Sequence, residues 1–116
     1  MHTLEHPNAT GTIIWLHGLG ADCYDFAEAM QYLQQAGATY NVILPNAPMR
    51  KVTANNSIPM RAWYNITEFG HPAQYDINDL EESITAITNL IQTTKTKQSP
   101  NHKIILGGFS QGGAVS

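Results

Sequence analysis

The residues best placed for chemistry are Gly108-Phe109-Ser110-Gln111-Gly112, a G-x-S-x-G pattern. An apolar run, Lys103 to Gly107 (KIILG), leads into it, and a small-residue stretch, GGAVS, follows. A serine held where a strand turns abruptly into a helix sits in strained backbone geometry with its hydroxyl exposed. Glycines two residues to either side remove β-carbons that would collide as strand and helix pass. The residue after the serine opens the helix, so the Gln111 N–H has no intrahelical partner and can donate to an oxyanion. Ser110 is thus a candidate nucleophile. The alternatives are an ordinary serine in a glycine-rich turn, or a phosphate-binding turn. No Lys or Arg lies within the turn, which weighs against phosphate.

A second pattern, His17-Gly18-Leu19-Gly20, follows another short apolar run, Thr12 to His17 (TIIWLH). A strand ending in H-G-x-G makes a tight turn whose backbone N–H groups face the same end of a parallel sheet. The Leu19 amide is therefore the second candidate oxyanion donor; its side chain is equally compatible with packing. His17 reads better as a structural histidine bonding the loop backbone than as a catalytic group.

These two turns need a scaffold. TIIWLH, Asn41 to Leu44 and KIILG are β-rich apolar runs and predict three buried strands. Between the first two, Asp22 or Asp25 is positioned to cap a helix running to about Gln35. Phe26, Ala29, Met30 and Leu33 would form its apolar face, and Gly37 would stop it. Residues 46–75 predict a long excursion with a short extended piece around Arg61–Ile66. Excursions of this length tend to be functional. A long helix is predicted from Asn78, read as N-cap with Glu81 in a capping box. Leu80, Ile84, Ile87 and Ile91 supply its stripe, Lys95 and Lys97 lie near its C-terminal end, and Pro100 ends the segment. Alternating strands and helices imply an α/β class with parallel pairing and right-handed crossovers.

The composition fits one globular α/β domain and excludes several classes. The chain has 116 residues, 42% hydrophobic and 13% charged, with net charge −3 and six scattered Lys and Arg. A nucleic-acid surface would need a clustered basic patch. Apolar runs are too short to span a membrane, so no integral membrane association is expected. The N-terminus lacks the basic and apolar regions of a signal peptide. Cys23 is the only cysteine, which excludes an intrachain disulfide and suits a reducing, cytoplasmic setting. The histidines lack ligand spacing and GLGAD follows no dinucleotide fingerprint, so no metal or cofactor is expected.

Taken together, IIWLHGLGADCYDF, VILPNAPMRKVTANNSIPMRAWYNI and KIILGGFSQGGAVS resemble the phospholipase/carboxylesterase family, which has the α/β-hydrolase fold. That family includes bacterial carboxylesterases, acyl-protein thioesterases and lysophospholipases. The resemblance runs from about Gly11 to Ser116, and its wording looks closest to the bacterial carboxylesterases. It implies Ser110 as nucleophile, Leu19 and Gln111 as oxyanion-hole amides, and a small ester or thioester substrate. Met60 and Trp63 resemble segments bordering the acyl groove, with core packing the equal alternative. Arg61 would order its loop and Cys23 would be a bystander.

The resemblance also implies what should follow. The triad order in this fold is Ser, then an acid, then His. Only six residues follow Ser110, and the histidines at 2, 6, 17, 71 and 102 all precede it. Family members are about twice as long, in keeping with single domains of roughly 200–250 residues. Residues 1–116 are therefore expected to be the N-terminal half of one α/β-hydrolase domain, lacking its acid and base, with strand 103–107 left as an exposed edge. Three readings remain: a carboxylesterase, a thioesterase or lysophospholipase, and a non-catalytic fragment. Substrate, acyl-chain length and oligomeric state are not legible.

Overall fold

The computed structural model describes residues 1–68 and 74–116; His71 lies outside them. Four strands form the main sheet: β1 (His2–Leu4), β2 (Gly11–Leu16), β3 (Tyr40–Leu44) and β8 (Lys103–Gly108), in the order β1-β3-β2-β8. The three strands expected from apolar runs pair in parallel around a central β2. β1, too short to carry a pattern, adds antiparallel to β3.

Helix α1 (Ala27–Gln35) crosses from β2 to β3. Neither expected aspartate caps it: Phe26 is the N-cap residue and makes no side-chain bond, while Asp22 accepts from the Tyr24 N–H in the preceding turn. The expected apolar face is also shifted. Met30 is buried, with Phe26 and Ala27 packed nearby, whereas Ala29 and Leu33 are exposed. The reason is Gln34, one turn beyond Met30, whose amide donates to the Leu4 and Tyr40 carbonyls at 3.1 and 2.9 Å. A polar side chain takes the sheet-facing position because it meets backbone oxygens there. Gly37 ends the helix at φ +112° as expected, with Ala38 N–H bonded to Leu33 C=O and Gly37 N–H to Gln34 C=O.

The excursion is more ordered than expected. A hairpin joins β4 (Met49–Val52) to β5 (Ile58–Arg61), turning through Thr53–Asn55 and through Asn56 and Ser57 in left-handed conformation. A second small pair joins β6 (Ile66–Glu68) to β7 (Gln74–Tyr75). Of the extended piece expected around Arg61–Ile66 only the ends are strand: Arg61 closes β5, Ile66 opens β6, and residues 62–65 link them without strand pairing.

Helix α2 (Ile77–Thr96) begins before the expected Asn78. Asp76 is the N-cap: its carboxylate accepts from the Asn78 and Asp79 N–H groups at 2.9 and 3.1 Å. The capping box on Asn78 and Glu81 does not form, because the helix already opens at Ile77 and Asn78 lies within its first turn. The buried stripe runs through Ser83, Ile87 and Thr94, with Leu80, Leu90 and Ile91 beside it; Ile84 faces out.

Two cores flank the sheet. Ile14, Leu16, Ala47, Trp63, Ile87 and Val115 fill the α2 side, and Cys23, Met30, Val42 and Leu44 fill the α1 side. β2 and β3 are covered on both faces. β8 is not: Ile104 and Leu106 pack toward α2, while Ile105 is 46% exposed on the other face. β8 is the sheet edge among the described residues.

Replacing Asp76 leaves two first-turn donors without their carboxylate. Asp76→Ala is expected to cost about 1 kcal/mol, read as a lower urea midpoint, with Asn78→Ala close to neutral. The reverse order would place the cap at Asn78 instead.

Candidate active site

β8 delivers the chain to Ser110, and α3 (Gln111–Val115) leaves it. Ser110 takes φ 56° and ψ −119°, a conformation that L-residues rarely adopt. Its hydroxyl does not cap α3, and the residue is exposed. The flanking glycines are required by contact. A β-carbon on Gly108 would lie 2.5 Å from the Gly112 carbonyl carbon, as strand-against-helix crowding predicts. Gly112 is required for a different reason. Its β-carbon would strike the Leu16 and His17 carbonyl oxygens at the end of β2, the latter at 2.5 Å.

The same close approach brings the His17–Gly20 turn onto Ser110. A β-carbon on Gly18 would sit 3.4 Å from the Ser110 Cβ. Gly20 has φ +76°, and its N–H donates to the Arg61 carbonyl at 2.8 Å. The Leu19 and Gln111 N–H groups have no acceptor among the described residues. Phe109, 57% exposed, stacks with Phe26 at a 5.7 Å centroid distance beside the serine.

His17 has the structural role expected of it. It is 2% exposed and both ring nitrogens meet backbone: Nε2 accepts from Ala47 N–H at 3.0 Å, which leaves the Nδ1 proton for the Gly18 carbonyl at 2.7 Å. The other described histidines lie elsewhere. His102 bonds the Thr12 hydroxyl at 2.7 Å, at the end of the sheet opposite Ser110. His6 bonds Asn41 through its backbone, at that same end. His2 is on β1, three strand spacings from β8, about 14 Å.

Trp63 takes the core alternative. It is 2% exposed, and its indole N–H donates to the His17 carbonyl at 2.9 Å. Met60 is partly exposed, and its sulfur lies 3.6 Å from where a β-carbon on Gly20 would stand. Arg61 orders its loop, donating to the Ala47 carbonyl at 3.0 Å. Cys23 is buried in the α1-side core.

Sequence reasoning missed the polar supports. The Gln111 side chain is buried, accepting from Trp63 N–H at 2.6 Å and donating to the Tyr64 carbonyl at 2.9 Å. Ser83, on α2, donates to the Trp63 carbonyl. Asp79 accepts from Asn65 N–H and pairs with Arg50 at 2.8 Å, and Arg50 Nε donates to the Ala62 carbonyl. The Tyr64 phenol is pushed above its usual range, first by burial and then by Tyr75. A glutamine after the serine signals only a helix start. Nothing in local spacing shows that its side chain reaches residues 63 and 64.

A cavity of about 260 Å³ lies away from Ser110, between the sheet and the end of α2, lined by Thr12, Asn41, Ile43, Leu90, Thr94 and Lys97 among others. Among the described residues no group of His, Cys, Asp and Glu is arranged to hold a metal, and no helix is long and apolar enough to cross a membrane.

A protein-family model described as phospholipase/carboxylesterase matches residues 4–116. The chain belongs to that family. Acyl-protein thioesterase 1 of Debaryomyces hansenii is 37% identical over 115 residues, 93% of this chain and 50% of the relative. The Candida albicans protein of the same name is 37% identical over 114 residues, 94% and 49% respectively. Acyl-protein thioesterase 2 of Zea mays superposes with TM-score 0.80 at 28% identity, covering 98% of this chain and 47% of that structure. SOBER1 of Arabidopsis thaliana superposes with TM-score 0.75 at 26% identity, covering 90% and 51%. The fold is the corresponding half of an α/β-hydrolase, and the chain spans about half the length of these relatives. The first three of these carry the name acyl-protein thioesterase, whereas the wording of the motifs looks closest to the bacterial carboxylesterases.

The two elbow glycines next to each other in sequence differ in what surrounds them. Gly112→Ala drives a methyl into two fixed carbonyls and is expected to cost about 3 kcal/mol. Gly113→Ala, whose β-carbon would meet only the Gly108 carbonyl at 3.2 Å, should cost under about 1 kcal/mol. Urea unfolding of both variants reads the difference; equal costs would remove the close approach at Gly112.

Proposed function

We propose that this sequence forms the nucleophile half of a serine carboxylic-ester hydrolase. One observation carries the reading. Ser110 is held at positive φ with its hydroxyl uncommitted, against a turn that leaves the Leu19 amide as free as that of Gln111. In the reaction, Ser110 Oγ attacks the carbonyl carbon and its proton passes to a histidine. The carbonyl oxygen becomes an oxyanion bonded by the Leu19 and Gln111 N–H groups. Collapse expels the alcohol or thiol, which takes the proton from the imidazolium. Water then attacks the acyl-enzyme by the same route and frees the acid. Met60, partly exposed beside Gly20, borders the acyl groove in this reading.

The acid and the histidine belong after Ser110 in the triad order of this fold. Residues 1–116 are accordingly an incomplete catalytic domain, and by themselves inactive. The names of the relatives favour a second substrate class, acyl thioesters, processed by the same steps. The single buried thiol fits a cytoplasmic setting.

The test uses the sequence extended to the full length of its relatives. Short-chain nitrophenyl esters should be hydrolysed, and Ser110→Ala should lose at least about a thousandfold in kcat. An unchanged Ser110→Ala rate would rule Ser110 out as nucleophile. Faster turnover of an S-acylated peptide than of the esters would select the thioesterase reading.

A further inference from the structure

We propose that the Gln111 side chain and Trp63 are positioning residues that set the spacing of the two oxyanion amides. The inference rests on the hydrolase reading above and assigns the part that tunes it. An oxyanion hole works only when both donors lie about 2.7–3.1 Å from one point. The Leu19 and Gln111 amides sit on turns from two different strands, so something must fix one turn against the other.

A single short segment touches both. On one side, Trp63 Nε1 donates to the His17 carbonyl at 2.9 Å and the Arg61 carbonyl accepts from Gly20 N–H at 2.8 Å. These two bonds bracket Leu19. On the other side, the Trp63 N–H and the Tyr64 carbonyl hold the two ends of the Gln111 side-chain amide. Residues 61–64 therefore bridge the two turns. The bridge is itself tied down by Ser83 on the Trp63 carbonyl and by Arg50 on the Ala62 carbonyl. Trp63, Gln111 and His17 are each 4% exposed or less, so water does not compete for these bonds.

The chemistry of the side chain fits this task. A carboxamide can accept from one backbone N–H and donate to a neighbouring carbonyl at once. A thioether cannot donate and accepts only weakly, and a carboxylate would set oxygen against the Tyr64 carbonyl oxygen. Gln111 thus acts twice: its N–H faces the oxyanion, and its side chain determines where that N–H stands.

The full-length protein tests this with short-chain nitrophenyl esters at temperatures well below each variant's unfolding midpoint. Gln111→Met should lower kcat about tenfold to a hundredfold, with KM within about threefold, because only the transition state carries the oxyanion charge. Trp63→Phe keeps an aromatic ring in the core while removing the bond to the His17 carbonyl; it should lower kcat by a smaller factor, again at steady KM. The double variant should lose less than the product of the two, since both act through the same amide spacing. If Gln111→Met fails to fold, Trp63→Phe alone decides. A kcat within twofold of the parent in the folded variants, or a loss confined to KM, would overturn the positioning role while Ser110-dependent turnover of the parent keeps the hydrolase reading. A parent without Ser110-dependent turnover would overturn both.

Discussion

The backbone of α3 passes the end of β2 at a separation that leaves no room for a side chain at Gly112, and the rest of the site depends on that contact. It sets the strand-to-helix turn at Ser110 directly against the His17–Gly20 turn. Gly108 permits the second half of the same approach, where strand and helix of one elbow cross. With both β-carbons absent the elbow can close, and the cost of the Ser110 conformation is borne by the packing around it. Val115, a few residues further on, contributes to this by entering the α2-side core. Sheet, elbow and core are thus parts of one arrangement.

That dependence explains what could be read from the sequence. Strands β2 and β3 are apolar along their length because both their faces are covered, β8 carries a similar run at the sheet edge, and the G-x-S-x-G and H-G-x-G turns follow β8 and β2 respectively. Local pattern suffices where burial and turn chemistry are local. It failed at Gln34, because a polar residue facing the sheet breaks the apolar stripe. It failed at Asp76, because two plausible caps lie two residues apart and only backbone geometry chooses between them. It could not show that Gln111 reaches Trp63 and Tyr64, a pairing across nearly half the chain. The pattern draws attention to the Gln111 amide, while what its side chain does depends wholly on tertiary placement. Trp63, suggested as a groove wall, is a core pillar for the same reason: its indole N–H finds a buried carbonyl that no local rule anticipates.

The sheet is covered unevenly. β2 is covered on both faces, whereas Ile105 on β8 is largely open on the α1 side and the β8 edge is unpaired among the described residues. On that same face the Trp15 indole N–H is buried without an acceptor among the described residues. An apolar edge strand and an orphaned buried donor are both unfavourable in an isolated unit. Both lie on the side of the sheet next to β8.

The division of chemistry follows the same line. Everything that depends on backbone geometry is within these residues: the strained serine, two free amides and the bridge between their turns. What a hydrolase needs in addition is a proton acceptor and its orienting carboxylate, and the described histidines are committed elsewhere or lie far from Ser110. Those two functions require only that side chains be brought near Oγ, which a loop from a neighbouring strand can do. In the proposed reading the oxyanion site cannot be supplied that way, because its donors would be the main chain of the elbow and of the adjacent turn. It has to be built where the sheet and the first crossovers are built, and residues 61–64 are the part of the chain that joins the two.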